Sequence, residues 1–302
     1  MVGIVANPAS GRDIRRLVAG ASVFGNPEKA GMVYRVLVGL AAAGVDKALM
    51  MPAADGLGWT LERLMKAHGR PLPLEILDMP ITGTAQDTIT AVERMREATA
   101  IVVLGGDGTH RVVAKACGDT PIVALSTGTN NAFPEMREAT IAGLAAGLFT
   151  DQLIREPALK VGDDLALVDV AVSNRPFAGA KALWRADSIT ELFVTKPNPA
   201  AVGLSAIAGQ LASGPVHVTL GRAGTGIRVH AAIAPGLVVP VDVAKVEPLN
   251  GPVTVHEAGC LALDGEREIE RPGATTISLT QGPNRVDIDA VMRATRLQPP
   301  QE

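Results

Sequence analysis

The chain has 302 residues, a length that predicts about two domains, and 47% of its residues are hydrophobic, enough to bury cores without disulfide support. Its 28 Lys and Arg and its 31 Asp and Glu give a net charge of −3, and aromatic residues make up 3%, which excludes a basic or ring-rich nucleic-acid surface. The 2 cysteines exclude a disulfide framework and a multi-cysteine zinc site.

The first half of the chain alternates short β-branched runs with longer helical patterns. Strands are predicted at residues 3–6, 47–51, 74–77, 101–104 and 121–125. Helices are predicted at residues 13–18, 27–43, 57–68, 85–98, 109–116 and 135–149. This alternation is typical of βαβ units, so it predicts a doubly wound parallel sheet whose ligands lie beyond the carboxyl ends of the strands.

The second half changes to short alternating runs separated by Gly and Pro, a pattern typical of antiparallel strands. These runs lie at residues 166–172, 191–195, 215–220, 227–233 and 253–255, and a small-residue stretch at 203–211 predicts a helix. We predict an α/β nucleotide-binding domain at residues 1–152 and a β-rich, antiparallel, sandwich-like substrate domain at residues 153–302. The last segment of the chain can pack back on the first domain, and residues 298–302 are expected to form a frayed tail.

The strongest local signal is a glycine loop, Gly105-Gly106-Asp107-Gly108-Thr109, directly after an apolar run. Its glycines allow close approach of the backbone to a ligand and positive φ angles. A helix is predicted to follow, and its free N–H groups favour an anion. A carboxylate at Asp107 would repel phosphate unless it binds Mg²⁺ or takes a proton from a reacting hydroxyl. The alternative is a tight strand-to-helix turn in which Asp107 caps the helix.

Two further loops follow predicted strands of the same sheet. They are an asparagine loop, Asn7-Pro8-Ala9-Ser10-Gly11, and a threonine loop, Ser126-Thr127-Gly128-Thr129-Asn130-Asn131. Either could be an ordinary turn. Three loops with small polar donors at one edge of a parallel sheet predict a shared anion site.

Together, Asn7-Pro8-x-Ser10-Gly11, the glycine loop and Thr127-Gly128-Thr129-Asn130 resemble motifs of the superfamily of NAD kinases and diacylglycerol and sphingosine kinases. Residues 6–18 are most similar to the NAD-kinase-like branch that includes the acetoin-catabolism X proteins. The resemblance implies an α/β nucleotide-binding domain, a β-rich domain and an active site in the cleft between them. It also implies ATP and Mg²⁺ as cofactors, and phosphoryl transfer to a hydroxyl of NAD or a related small molecule.

The resemblance also implies roles for individual residues. Asp107 takes the place of the base of NAD kinases, and Leu263-Asp264-Gly265-Glu266 resembles a lipid-kinase Asp-Gly-Glu motif, which makes Glu266 a second candidate acid/base or metal-linked carboxylate. The alternative for Asp264 and Gly265 is a type I′ hairpin turn. Nucleotide contacts are expected at Asn7, Ser10, Gly11, Gly105, Gly106, Gly108, Thr109, Thr127, Gly128, Thr129 and Asn130. Metal ligands are not assigned.

The acceptor side departs from the NAD-kinase pattern. Leu167-Val168-Asp169-Val170 lacks the Asn-Glu pair, and Thr195-Lys196-Pro197-Asn198-Pro199 replaces a Thr-Pro-Thr-Gly-Ser loop. The acceptor therefore stays open, with a lipid-like or polyol hydroxyl as one alternative. A second alternative is a nucleotide-binding regulator of acetoin catabolism without turnover.

The expected partners are a nucleotide and a small-molecule acceptor, with no nucleic acid and no membrane span, since no uncharged run reaches roughly 20 residues. A homo-oligomer stays open. A cytoplasmic location is expected, because the N-terminus has neither a basic segment nor a long apolar one. His110 is predicted to lie on a helix surface.

Overall fold

The computed structural model describes residues 1–8, 10, 24–53, 56–128, 131–176, 182–183, 185–222, 224–256, 259–270 and 273–296, leaving aside the side chains of Arg267 and Arg296. Some of the predictions lie outside the described residues. These are the helix at 13–18, the tail at 298–302, and the candidate contacts Gly11, Thr129 and Asn130.

The β-branched runs of the first half form parallel strands in the order β3-β2-β1-β4-β5. They are β1 (Val2–Ala6), β2 (Ala48–Met50), β3 (Leu74–Ile76), β4 (Ile101–Gly105) and β5 (Ile122–Ser126). The central strands β1, β4 and β5 are buried along their whole length, as expected for a parallel sheet covered on both faces. These strand predictions are confirmed.

Helices cover both faces of this sheet. They are α1 (Asn26–Ala42), α2 (Leu57–His68), α3 (Ala85–Arg94), α4 (Asp107–Ala116) and α5 (Ala139–Leu148). Apolar side chains of α1, α2 and α5 pack on one face, and those of α3 and α4 pack on the other. Helix α5 begins four residues later than predicted, because the Glu138 carboxylate accepts the N–H groups of Thr140 and Ile141 and caps it there.

Four strands from the second half extend this first sheet instead of joining the β-rich one. They are β6 (Leu153–Val161), β7 (Asp164–Ala166), β13 (Val253–Val255) and β16 (Thr275–Val286), and the order continues β5-β16-β6-β7 with β13 also on β16. Alternation identifies a strand but not its partner, and β16 is long enough to bury Ile277 and Val286 in two different apolar clusters. The boundary after residue 152 stays a prediction, since sheet membership crosses it.

The remaining strands form an antiparallel sheet in the order β11-β12-β10-β9-β8-β14-β15. They are β8 (Asp169–Ser173), β9 (Ile189–Val194), β10 (Val216–Leu220), β11 (Ile227–Ala234), β12 (Leu237–Pro248), β14 (Cys260–Leu263) and β15 (Glu266–Glu270). The short helix α6 (Ser205–Gly209) covers one face, and the other face packs on β6, β7 and β16. The predicted fold class, α/β with a β-rich antiparallel part, is confirmed.

The last described element is helix α7 (Ile288–Arg296), which the sequence pattern did not predict and which packs against α5. Among the described helices, none has the length and apolar character that a membrane crossing requires.

Helices α1 and α5 pack with their backbones almost in contact. A Cβ added to Gly39 would lie 2.2 Å from the carbonyl oxygen of Thr140, and one added to Gly143 would lie 2.3 Å from that of Val36. Glycine at these positions therefore allows α1 and α5 to approach this closely.

We expect Gly39→Ala to lower the free energy of unfolding by about 2 kcal/mol or more, because the added methyl group overpacks against backbone. Gly31→Ala is the matched control in the same helix, since its Cβ would meet Arg35 Nη1 at an ordinary 3.5 Å. The control should raise stability by about 0.5–1 kcal/mol. Urea unfolding measures both, and a Gly39→Ala protein as stable as the parent would contradict the packing argument.

Candidate active site

The loops that follow β1, β4 and β5 meet at the carboxyl ends of these strands. Asn7 Nδ2 donates to Thr109 Oγ1 at 3.0 Å, which joins the asparagine loop to the glycine loop. Ser10 Oγ lies 3.1 Å from Thr127 Oγ1, and the N–H of Thr127 donates to the carbonyl of Gly105 at 3.2 Å. The structure thus brings described residues of all three loops together, although more than 100 residues separate some of them.

The glycines are needed for close packing and not for a left-handed backbone. The φ angles of Gly105, Gly106 and Gly108 are not positive. A Cβ on Gly105 would lie 2.5 Å from Thr109 Cβ, and one on Gly106 would lie 2.8 Å from Asn131 Oδ1. The expectation of positive φ in this loop is therefore wrong, and close approach of its backbone to a ligand stays a prediction.

The side chain of Asp107 is bound to the segment that directly follows the threonine loop. Its carboxylate accepts the N–H groups of Ala132 at 3.1 Å and Phe133 at 2.9 Å. The N-cap position of α4 belongs to Gly106, which has extended φ and ψ, so the alternative of Asp107 as the cap is wrong. Charge-assisted bonds of this kind hold a carboxylate in a fixed orientation, here at the start of a helix.

Asn131 holds the threonine loop together from within. Its Nδ2 donates to Ser126 Oγ at 2.8 Å and to the carbonyl of Gly128 at 3.1 Å, while its Oδ1 accepts the N–H of Asp107 at 3.3 Å. The sequence motif contained this residue, but no role was predicted for it. The side-chain amide supplies both donor and acceptor, which a turn-forming Asn at a loop end is suited to do.

Lys29 fixes the asparagine loop from below, and sequence reasoning missed it. Its side chain is buried, and Nζ donates to the carbonyls of Asn7 at 3.0 Å, Pro8 at 3.3 Å and Ser10 at 2.8 Å. The sequence pattern could have indicated that Lys29 is buried, because it lies four residues before Val33 on the apolar stripe of α1. A lysine on a buried stripe needs internal acceptors for its ammonium group.

The hairpin that joins β14 to β15, the acidic hairpin, reaches the glycine loop. Asp264 and Gly265 have φ angles of 51° and 75°, so the predicted type I′ turn agrees with the backbone. The carboxylate oxygens of Glu266 lie 3.3 and 3.4 Å from where a Cβ on Gly108 would stand. The turn alternative and the functional one are therefore compatible, because the turn places Glu266 beside the loop.

Asp264 is a buried carboxylate with several partners. Its Oδ1 accepts the N–H groups of Leu167 at 2.9 Å and Val168 at 2.8 Å, and the Thr195 hydroxyl donates to the carbonyls of the same two residues. Burial raises the pKa of Asp264 well above its ordinary value, the Arg111 guanidinium opposes this shift, and the nearby Asp107 carboxylate adds to it. Internal hydrogen bonds thus occupy the segment where NAD kinases carry their Asn-Glu pair.

His110 is buried in the core, so its predicted place on a helix surface is wrong. Its Nδ1 lies 2.9 Å from the carbonyl oxygen of Gly106, and its ring packs 5.7 Å from that of Phe133. Burial lowers the pKa of His110 to about 4. The ring is neutral near pH 7 and supports the glycine loop from the core side.

The donor set fits a magnesium ion that is carried by a nucleotide. Among the described residues there is no group of three or more His, Cys, Asp or Glu that could hold a metal ion. Mg²⁺ at phosphate-transfer sites usually keeps water and takes one or two carboxylates together with substrate phosphates. Asp107 and Glu266 offer such carboxylates, and a closed protein cage is not required.

Comparisons with known proteins identify the family of this chain. Residues 2–153 match the family model of the ATP-NAD kinase N-terminal domain, and residues 151–283 match that of the acetoin catabolism protein X C-terminal domain. Acetoin catabolism protein X of Cupriavidus necator is 41% identical, and the match covers 97% of this chain and 91% of the relative. The chain belongs to the acetoin catabolism protein X family.

Solved structures of the same fold support the wider resemblance. A Bacillus anthracis protein assigned as a diacylglycerol kinase has a TM-score of 0.53 at 14% identity, covering 94% of this chain and 96% of its own. A second Bacillus anthracis structure with the same assignment has a TM-score of 0.51 at 13% identity, and the match covers 96% of this chain and 98% of the other. At these identities the likeness concerns the fold. The resemblance to the NAD kinase and diacylglycerol kinase superfamily is confirmed.

His110 should make the free energy of unfolding fall between about pH 6.5 and pH 4. In this window the unfolded histidine takes a proton while the buried ring, with its pKa of about 4, does not. Protons then favour the unfolded state, by up to about 1.4 kcal/mol per pH unit. Stability from the neutral ring is therefore complete above pH 6.5 and decreases as the pH falls.

Urea unfolding of the His110→Gln variant at pH 7, 6, 5 and 4 tests this expectation. Carboxylates contribute to acid destabilisation in parent and variant alike, so the variant should show a shallower slope. The exposed His230 supplies the control, and His230→Gln should keep the parental slope. Equal slopes for the parent and His110→Gln would show that the ring is not buried in its neutral form.

We expect Lys29→Met to lower the free energy of unfolding by about 2 kcal/mol or more, because three carbonyls of the asparagine loop lose a charged donor while the aliphatic stem is kept. Lys66→Met on the exposed face of α2 is the control, with an effect within about 0.5 kcal/mol. Thermal or urea unfolding distinguishes them. A Lys29→Met protein that matches the control would mean that the ammonium group does not hold the loop.

Proposed function

We propose that this protein is an ATP- and Mg²⁺-dependent kinase that transfers the γ-phosphoryl group to a hydroxyl of NAD or a related small molecule. The observation that carries the proposal is the meeting of three small-residue loops with two carboxylates, Asp107 and Glu266, at the start of α4. A helix start offers N–H groups to phosphate. A carboxylate there has a use in phosphoryl transfer that it lacks in plain anion binding.

The nucleotide phosphates are proposed to lie against the glycine loop and its two neighbours. Apart from the Asp107 N–H, which donates to Asn131 Oδ1, the first turn of α4 offers backbone N–H donors that need no side chain, and the Thr109 and Thr127 hydroxyls lie on the joined loops. The proposed contacts are Asn7, Ser10, Gly11, Gly105, Gly106, Gly108, Thr109, Thr127, Gly128, Thr129 and Asn130. Bound Mg²⁺ would neutralise the phosphate charge, with Asp107 or Glu266 as its protein ligand.

Asp107 is proposed as the general base. The oxygen of the acceptor hydroxyl attacks the γ-phosphorus of ATP, and the bond between the γ-phosphorus and the β–γ bridging oxygen breaks, so that ADP leaves. The proton of the hydroxyl passes to the Asp107 carboxylate. Two backbone N–H groups fix that carboxylate before the substrate arrives, which supplies the positioning on which such transfers depend. Glu266 is proposed as the second carboxylate, in contact with metal or with the acceptor.

The acceptor is the least constrained part of the proposal. The match of residues 2–153 to the ATP-NAD kinase model favours an adenylated acceptor such as NAD. The Asp-Gly-Glu sequence motif in the acidic hairpin favours a lipid-like or polyol hydroxyl as the second candidate. A third candidate is a nucleotide-binding regulator without turnover, favoured by the internal hydrogen bonds that occupy Leu167 and Val168. We propose a cytoplasmic location for the protein, because ATP and NAD are available there.

A coupled assay of ADP release distinguishes these candidates. It is run with ATP, Mg²⁺ and a panel of NAD, glycerol-type polyols and diacylglycerol in mixed micelles, beside a calorimetric titration of ATP. Turnover with NAD supports the proposal, turnover with polyol or lipid alone supports the second candidate, and binding without turnover supports the regulator. A chain that does not bind ATP would overturn all three.

Asp107→Asn should reduce turnover by about 10²- to 10⁴-fold, the usual effect of removing a general base. ATP affinity measured without Mg²⁺ should change little, because the backbone donors are kept. Gly106→Val should instead weaken ATP binding itself, since its side chain would meet Asn131 Oδ1, 2.8 Å from the added Cβ. Full turnover in Asp107→Asn would remove Asp107 as the base and leave Glu266 as the leading carboxylate.

A further inference from the structure

Arg111 binds the acidic hairpin at two points. It lies one helical turn after Asp107 on α4, and its side chain is 6% exposed. Its Nη2 is 2.8 Å from Glu268 Oε1, and its Nε is 3.4 Å from Asp264 Oδ2. One guanidinium from the first sheet's helix therefore contacts two carboxylates of the second sheet.

Glu266 lies between these two points in the sequence. Asp264 is in the turn, and Glu268 is two residues beyond Glu266, where the register of β15 shifts against β14. Because both flanking residues contact Arg111, the backbone that carries Glu266 is fixed against α4. The carboxylate of Glu266 lies beside Gly108, 3.3 and 3.4 Å from where a Cβ on that glycine would stand.

The same contact extends to the crossing between the sheets. Asp264 Oδ2 faces Arg111, while its Oδ1 accepts the N–H groups of Leu167 and Val168. These two residues connect β7 of the first sheet to β8 of the second. The pair Arg111–Asp264 therefore joins α4, the acidic hairpin and the sheet-to-sheet connection at one buried point.

Arg111 also compensates the negative charge of neighbouring carboxylates. Asp107 and Asp169 lie close enough to Asp264 to affect its titration, and Glu266 and Glu268 follow on the same hairpin. Asp264 is buried, and neighbouring carboxylates repel its charge unless a cation compensates them. Arginine suits the position better than lysine, because its planar fork can contact two carboxylates at once.

We propose that Arg111 is a positioning residue for Glu266, holding the acidic hairpin so that this carboxylate faces the glycine loop opposite Asp107. The role of Glu266 in catalysis rests on the proposed function, whereas the docking of the hairpin by Arg111 does not. The two parts therefore need separate readouts.

The first readout is hydrogen exchange of the acidic hairpin in the full-length protein. Arg111→Lys keeps the charge and loses the fork, so amides of residues 260–270 should exchange at least about 10-fold faster, as local opening becomes easier. The hairpin of β11 and β12 should not change. Arg228→Lys is the matched control, because Arg228 makes a two-point pair with Asp242 on the exposed side of that second hairpin.

The second readout is a double-mutant cycle on turnover with the acceptor that the panel identifies. Arg111→Lys should lower kcat by about 10- to 100-fold with KM for ATP within about threefold, since small misplacements of a catalytic group are costly. In a Glu266→Gln background the same change should add less than about twofold, because the positioned carboxylate is already gone. Arg228→Lys should leave kcat unchanged.

Unchanged hydrogen exchange in Arg111→Lys would overturn the docking of the hairpin by Arg111. If Arg111→Lys lowered kcat by the same factor in the Glu266→Gln background as in the parent, the positioning of Glu266 by Arg111 would be overturned. If the parent protein shows no turnover with any acceptor, the proposed function fails, and the exchange result still decides the docking. Should Arg111→Lys fail to fold, Asp264→Asn, which removes the charge that faces Arg111 Nε, replaces it in both readouts.

Discussion

The candidate site depends on one constraint, which is that the carboxyl ends of β1, β4 and β5 lie side by side in a parallel register. Each strand is buried along its length, so its loop must leave the sheet at this edge. Hydrogen bonds between Asn7 and Thr109 and between Ser10 and Thr127 then join the loops laterally. The backbone donors at the start of α4 are presented by this construction and not by any single motif.

The second constraint is electrostatic. Carboxylates gather where the proposal places phosphate, and such a gathering is stable only if each charge has a partner. Backbone N–H groups hold Asp107, and the N–H groups of Leu167 and Val168 together with Arg111 hold Asp264. These partners come from both sheets, so the site and the packing of the two sheets stabilise each other.

The sequence predicted the parts of the molecule that depend on local pattern. Strand–helix alternation predicted the parallel strands, and glycine and small polar residues after strands predicted the three loops. Partners separated by long stretches of sequence carry no such pattern. The pairing of β16 with β5 and β6, the clamp of Lys29 on the asparagine loop and the contact of Arg111 with Asp264 all belong to this class. The prediction that His110 lies on a helix surface was wrong for a related reason, since only the packed structure shows which side of α4 faces the sheet.

The most direct test of the account is a crystal structure with Mg²⁺ and a non-hydrolysable ATP analogue. The account predicts that the phosphates lie against the N–H groups of residues 105–109, with the γ-phosphate flanked by the carboxylates of Asp107 and Glu266. Phosphates bound elsewhere on the chain, or a glycine loop that contacts no part of the nucleotide, would contradict it.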